Sequence, residues 1–152
     1  MTLPARAWSL TTATSCLLLV LTAHAQAPSP AGLWTSVDDA TQEPKALIRI
    51  TSVNGQLQGS IEKLFLKPGD DPAPACVKCE GALRNAPIVG LQILGGFREE
   101  DGSYVGGTIL DPENGKTYRS RMTLTSEGNA LEVRGYIGVP AFGRTQTWTR
   151  AR

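Results

Sequence analysis

The sequence predicts an all-β domain, an antiparallel up-and-down barrel of about eight strands. Three observations carry that prediction. Short segments alternate apolar and polar residues with period two, as half-buried strands do. Most are joined by tight turns, of which Asn54-Gly55 and Asp111-Pro112-Glu113-Asn114-Gly115 are the clearest. Gly (16) and Pro (10) are abundant while long helical periodicities are scarce. A meander of eight strands has two exposed edges, and closing it into a barrel removes both. A two-sheet sandwich is the competing arrangement.

Before the first strand, residues 1–25 read as a secretory signal peptide. Arg6 is the only charge before an apolar run centred on Cys16-Leu17-Leu18-Leu19-Val20-Leu21, and Ala23-His24-Ala25 is a small-x-small cleavage signature. Cleavage there would start the mature chain at Gln26. Cys16 precedes most of the apolar run, whereas a lipoprotein attachment site follows one. Residues 26–31 read as a flexible leader and 32–150 as one domain, long enough to bury a core.

Gly32 to Val37 is the first strand, and Asp38 to Pro44 a polar turn. In the second strand Ala46, Ile48 and Ile50 alternate with Leu47, Arg49 and Thr51. Leu57, Gly59, Ile61 and Leu64 mark the third. The pattern then breaks for about twenty residues around Lys67-Pro68-Gly69-Asp70-Asp71-Pro72 and the Cys76-Val77-Lys78-Cys79 segment. Pro87 to Gly90 reads as a tight link, one helical turn. Leu91 to Arg98 is the fourth strand and Tyr104 to Leu110 the fifth, whose Gly106-Gly107 implies a bend or a close backbone approach. The sixth strand, Lys116 to Thr125, puts Tyr118, Ser120, Met122 and Leu124 on one face. The seventh alternates Leu131, Val133 and Gly135 with Glu132, Arg134 and Tyr136. The eighth runs from Arg144 to Arg150.

Removing Arg6 with the signal peptide leaves equal numbers of basic and acidic residues. Net charge therefore points to neither nucleic acid nor an anionic membrane surface as partner. No later segment is long and apolar enough to span a bilayer.

An ordered set of motifs spans residues 32–150. It comprises Gly32-Leu33-Trp34, Gly106-Gly107-Thr108-Ile109 before Asp111-Pro112-x-x-Gly115-Lys116-x-Tyr118, then Arg134-Gly135-Tyr136-Ile137-Gly138, and finally Gly143-Arg144-Thr145-Gln146-Thr147-Trp148-Thr149-Arg150. It resembles domain-of-unknown-function family 2147, a family of exported bacterial proteins that in turn resembles the lipocalin-like (calycin) barrels. The resemblance implies a lipocalin-like fold and supplies no accepted activity. It also implies that Trp34 opens the first strand as a buried indole and that Arg150, near the end of the last strand, packs over it.

Cys76 and Cys79 are the sharpest local motif. The residues favour a local disulfide in an oxidising compartment, with a redox-active pair as the alternative. Haem attachment needs His where the chain has Glu80, and zinc needs about four ligands where the mature chain offers two Cys and no His. No metal and no cofactor are expected. With His24 in the signal peptide, no imidazole base serves a nucleophile, and Asp111, Glu113 and Glu132 read as turn and surface acids. The chain is not expected to be an enzyme. Arg134 and Tyr136 share a parity that places them either in solvent or at an inner polar spot, where a ligand carboxylate would pair with the arginine. Phe142 joins Ile137 and Val139 in an apolar lip at the barrel mouth.

Two functions lead, ahead of a small esterase or isomerase whose base would have to be Asp, Glu, Lys or Tyr. One is an exported, periplasmic or secreted protein that binds a small, mostly apolar, lipid-like ligand through Trp34, Arg134, Tyr136, Phe142 and Arg150. The other is a cell-envelope interaction module that uses the 67–81 Cys loop, with the barrel only a scaffold.

Overall fold

The computed structural model describes residues 28–152; the expected signal peptide over 1–25 lies outside them. The strands are β1 (Gly32–Val37), β2 (Pro44–Val53), β3 (Gln56–Leu64), β4 (Gln92–Glu100), β5 (Ser103–Asp111), β6 (Lys116–Thr125), β7 (Ala130–Tyr136) and β8 (Arg144–Arg150). Each pairs antiparallel with its sequence neighbour, and β8 returns to β1, so the barrel is closed. The closing seam is short. It pairs Trp34 with Arg150 and Thr35 with Thr149, whereas β6 and β7 stay in register from Arg119–Tyr136 to Thr125–Ala130.

Alternation decides which face of each strand turns inward. Ala46, Ile48 and Ile50 of β2 are buried while Arg49 and Thr51 are exposed. Ser120 and Met122 of β6 are buried and alternate with exposed Arg119 and Arg121. The glycine pair of β5 does two separate jobs. Gly106 has φ +74° and sits where the β5–β6 register slips between Tyr104 and Gly107, so it forms the bulge that bends the wall. Gly107 lies directly beneath the Phe97 ring, which occupies the space a Cβ would need. A side chain at 107 would therefore displace a fully buried aromatic.

The segment between β3 and β4 is more regular than its sequence suggests. Ala75 bridges Pro87, the Cys76 N–H donates to the Ala86 carbonyl (2.8 Å), and the Ile88 N–H donates to the Pro74 carbonyl (2.9 Å). The Gly90 N–H then reaches the Ile61 carbonyl at 2.7 Å, extending the edge of β3. The tight link expected at 87–90 is present as a turn, with the Leu91 N–H donating to the Ile88 carbonyl (3.2 Å), but it is not helical, because Gly90 has φ +91°. A single 3-10 turn falls instead at Gly81–Leu83.

That segment also covers the outside of the wall. Leu94 pairs with Ile109, so Ile93 and Leu110 stand opposite each other on the outer face, yet both are buried. Cys76, Cys79 and Ile88 are buried in the same cluster. Cys76 Sγ lies 3.5 Å from the Pro112 carbonyl oxygen. Gly115 leaves no room for a Cβ because the Lys78 backbone fills that space. The Cys loop thus rests on the β5–β6 turn and seals a small apolar layer outside the barrel.

Candidate binding surfaces at the two ends of the barrel

Large side chains fill the lumen. Trp34, Trp148, Phe97, Ile48, Ile50, Leu94, Met122 and Leu131 are fully buried inside it. Gly59 faces inward with the Leu94 and Ile50 side chains packed against it. An eight-stranded barrel is narrow enough for side chains alone to fill it. The inner wall has one unmatched polar group: Ser120 is fully buried, and its Oγ has no hydrogen-bond partner among the described residues. Its cross-strand neighbours are Gly107 and Gly135, neither of which offers a side chain.

At the end where the seam closes, Trp34 is a plug. Its Nε1 donates to the Pro30 carbonyl at 2.7 Å. The Arg150 guanidinium lies 4.3 Å from the centre of the Trp34 ring, the stacking that the family resemblance implies. Arg150 also donates from Nε to the Gly128 carbonyl (2.7 Å), from one terminal nitrogen to Ala31 (3.1 Å) and from the other to Ser29 (2.7 Å). Residues 28–31 of the expected leader are thereby tied across the barrel end, and Pro30 is fully buried. Burying the indole is worth up to about 6 kcal/mol, against about 0.5–2 kcal/mol for the cation–π contact, so plugging comes first. An open depression of about 560 Å³ beside this clasp is lined by Pro28, Ser29, Ala31, Glu127, Gly128, Asn129 and Arg150.

At the opposite end, a polar chain crosses the mouth. The Trp148 indole N–H donates to Gln146 Oε1 (2.9 Å), the Gln146 amide donates to Asp39 Oδ2 (2.8 Å), and Arg144 pairs with Asp39. The β1–β2 connection is thus latched over β8. Hydrogen bonds from the Thr41 backbone and hydroxyl hold the neighbouring Asp38 below the usual carboxylate range. Glu43 is lowered as well, by the Lys67 ammonium that pairs with it. The Asp111 carboxylate accepts from the Glu113 N–H (2.9 Å) and the Asn114 amide (2.8 Å), which commits it to the β5–β6 turn.

The candidate residues do not converge. Trp34 and Arg150 lie at the clasped end, while Arg134 pairs with Thr145 near the far end of β8, and Tyr136 and Phe142 lie just beyond that end. Arg134 faces outward, with Leu131, Val133 and Gly135 turned in. It donates to the Pro140 carbonyl (2.7 Å), the Thr145 hydroxyl (2.7 Å) and the Ala141 carbonyl (3.2 Å), bracing the turn at Pro140–Phe142. Tyr136 is half-buried on the same outer face, its Cβ close beneath Gly143. Phe142 is 85% exposed. Cys76 and Cys79 are joined, with their Cα atoms 5.3 Å apart. A depression of about 420 Å³ runs between the Cys loop and the barrel wall, with Leu83 on one side, Ile137 on the other and Leu110, Thr117 and Tyr118 between. Sequence reasoning missed this meeting of Leu83 and Ile137, because only the fold brings the two connections together. It also missed Trp148 as a core residue, although Trp148 and Gln146 share an alternation parity in the eighth strand.

A closed antiparallel barrel of eight strands, plugged at one end by an indole beneath a guanidinium, is a lipocalin-like barrel. Residues 32–150 match the family described as "Uncharacterized protein conserved in bacteria (DUF2147)", and the chain belongs to that family. Among solved structures it is similar to protein HP1028 from Helicobacter pylori, described as belonging to the lipocalin family. The two share 23% identity over 80% of this chain and 82% of that one, with a TM-score of 0.68. At that identity the likeness speaks for the fold alone. No curated protein matches the chain. No helix among the described residues is long and apolar enough to cross a membrane.

Proposed function

We propose that this protein is an exported, non-catalytic binding module whose recognition surface is the Cys loop, residues 67–81, together with the adjoining Leu83. The observation that carries the reading is the filled lumen. Eight bulky side chains occupy the space a lipocalin-like ligand would take. The Cys loop, in contrast, is pinned by a disulfide and a short ladder and holds Val77 (63% exposed) and Leu83 (43%) in solvent. Apolar side chains held rigidly at a surface suit a partner interface. The disulfide and the expected signal peptide support a periplasmic or secreted location.

A small apolar ligand is the second reading, and the rim depression supports it better than the lumen does. Leu83, Leu110 and Ile137 supply the apolar half of its lining, and Glu80, Lys116 and Thr117 the polar half. Its volume falls within the range of small-molecule sites.

Deleting the loop would expose Ile93 and Leu110, so point changes test the reading more cleanly. Val77→Asp and Leu83→Asp together should abolish cross-linking to the partner captured by the unaltered protein from the cell envelope, with the barrel still folded. Undiminished cross-linking would overturn the reading. For export, N-terminal sequencing of protein recovered from the periplasm or medium should begin at Gln26; retention in the cytoplasm with Met1 intact would overturn it.

A further inference from the structure

We propose that the outer face of β6 and β7, with the β7–β8 connection above it, docks onto the surface of an anionic lipid bilayer. This site does not use the lumen, and it meets the depression beside the Cys loop only at Ile137. Its basis is the juxtaposition of an apolar lip with arginines that have no carboxylate partner among the described residues. Arg119 and Arg121 point outward from β6, and register sets Arg121 directly opposite Arg134 and Arg119 opposite Tyr136. Among the described residues no carboxylate forms an ion pair with Arg119, Arg121 or Arg134; the four ion pairs lie elsewhere. The outward acid of β7, Glu132, sits two positions further down the strand, between Thr123 and Thr147. Like charges facing each other across a sheet repel. A surface of phosphates would turn that repulsion into attraction, since guanidinium matches phosphate geometry and charge.

The lip supplies the second half of an interfacial anchor. Ile137 is 73% exposed, Val139 53% and Phe142 85%. Phe142 is not exposed through slackness. The Arg134 guanidinium grips the Pro140 and Ala141 carbonyls and folds the connection back over the outer face of β7, with Gly143 against Tyr136. Three apolar side chains are thus presented on a braced turn beside unneutralised guanidinium groups. Apolar insertion combined with cationic attraction is how a protein holds to an anionic lipid interface without spanning it. Charge complementarity favours this occupant over a neutral protein surface. The equal totals of acid and base in residues 26–152 conceal the asymmetry, because the acids are concentrated in the turns.

Co-sedimentation of the purified protein with vesicles tests the proposal. Vesicles of phosphatidylcholine with about 30% phosphatidylglycerol should retain it at about 0.05 M salt and release it at about 0.5 M, and pure phosphatidylcholine vesicles should not retain it. The Arg119→Glu/Arg121→Glu pair should weaken retention at least about tenfold, and Phe142→Ser at least about fivefold. Circular dichroism should show both variants folded. Val77→Asp, on the Cys loop, should leave retention unchanged. Binding to neither vesicle would overturn the proposal and leave a protein partner for the lip. Equal binding to both vesicles, or retention unaffected by the arginine reversal or by Phe142→Ser, would overturn it as well.

Discussion

Arg150 directs every nitrogen of its guanidinium to main-chain carbonyls while its plane covers the Trp34 ring. It therefore joins the leader, the β6–β7 turn and the last strand at the seam that the fewest backbone pairs hold. Arg150→Ala should cost about 3 kcal/mol in urea unfolding, because three charge-assisted bonds and the cation–π contact vanish together. Arg150→Lys should recover only part of that, since an ammonium cannot reproduce the planar fork. Ser120 makes the opposite case. Its hydroxyl is buried with no partner among the described residues, so Ser120→Ala should raise stability by about 1 kcal/mol. A loss of stability instead would mean that the hydroxyl is satisfied by something held in the lumen. The roles of these residues were unequally legible in the sequence. Trp34 and Arg150 could be paired through the family's motifs. The sequence does not reveal that Ser120 stands between two glycines, because that depends on the registers of three strands.

Strands were the most legible elements. β1, β6 and β8 begin and end where alternation and turn chemistry place them, since strand ends are set by local signals such as Asn114-Gly115. The β3–β4 connection was the least legible. Its order comes from backbone bonds to β3 and from resting on Pro112 and Gly115, none of which leaves a mark in the segment's own composition. The Cys76–Cys79 bond closes so small a ring that the chain-entropy model gives it only about 2 kcal/mol. Reducing it should therefore speed amide hydrogen exchange in residues 74–90 and leave protection in β6 and β7 unchanged. Global loss of protection would show the loop holding the whole fold. Gly107→Ala belongs to the wall of the barrel: it would push on the Phe97 ring and should cost about 1–3 kcal/mol.

At the scale of the whole molecule, pH dependence follows from which groups are perturbed. Asp38, Glu43 and Glu62 are all held below the usual carboxylate range, by Thr41, Lys67 and Arg49 respectively. A carboxyl lowered in the folded state stabilises the protein above its unfolded value, and that contribution is lost as pH falls through the folded one. The sole histidine, His24, belongs to the expected signal peptide, so no imidazole titrates in the barrel. Stability should be flat from about pH 5 to 8, fall below about pH 4, and show a smaller acid loss at high salt, because Glu43 and Glu62 are exposed and are lowered by the Lys67 and Arg49 cations. Thermal unfolding across that range checks it; a step near pH 6.5 would contradict it. The barrel itself was legible as a whole, because eight amphipathic strands joined by short turns leave few other ways to bury one face. Whether its interior is open or filled was not, since that depends on how Trp34, Phe97, Met122 and Trp148 meet at the axis. The filled lumen is the central claim, and native mass spectrometry of the gently purified protein tests it most directly. The expected result is the mass of the bare polypeptide, with no lipid recovered on extraction. A stoichiometric apolar molecule that stays bound, and that Ser120→Phe expels, would contradict it.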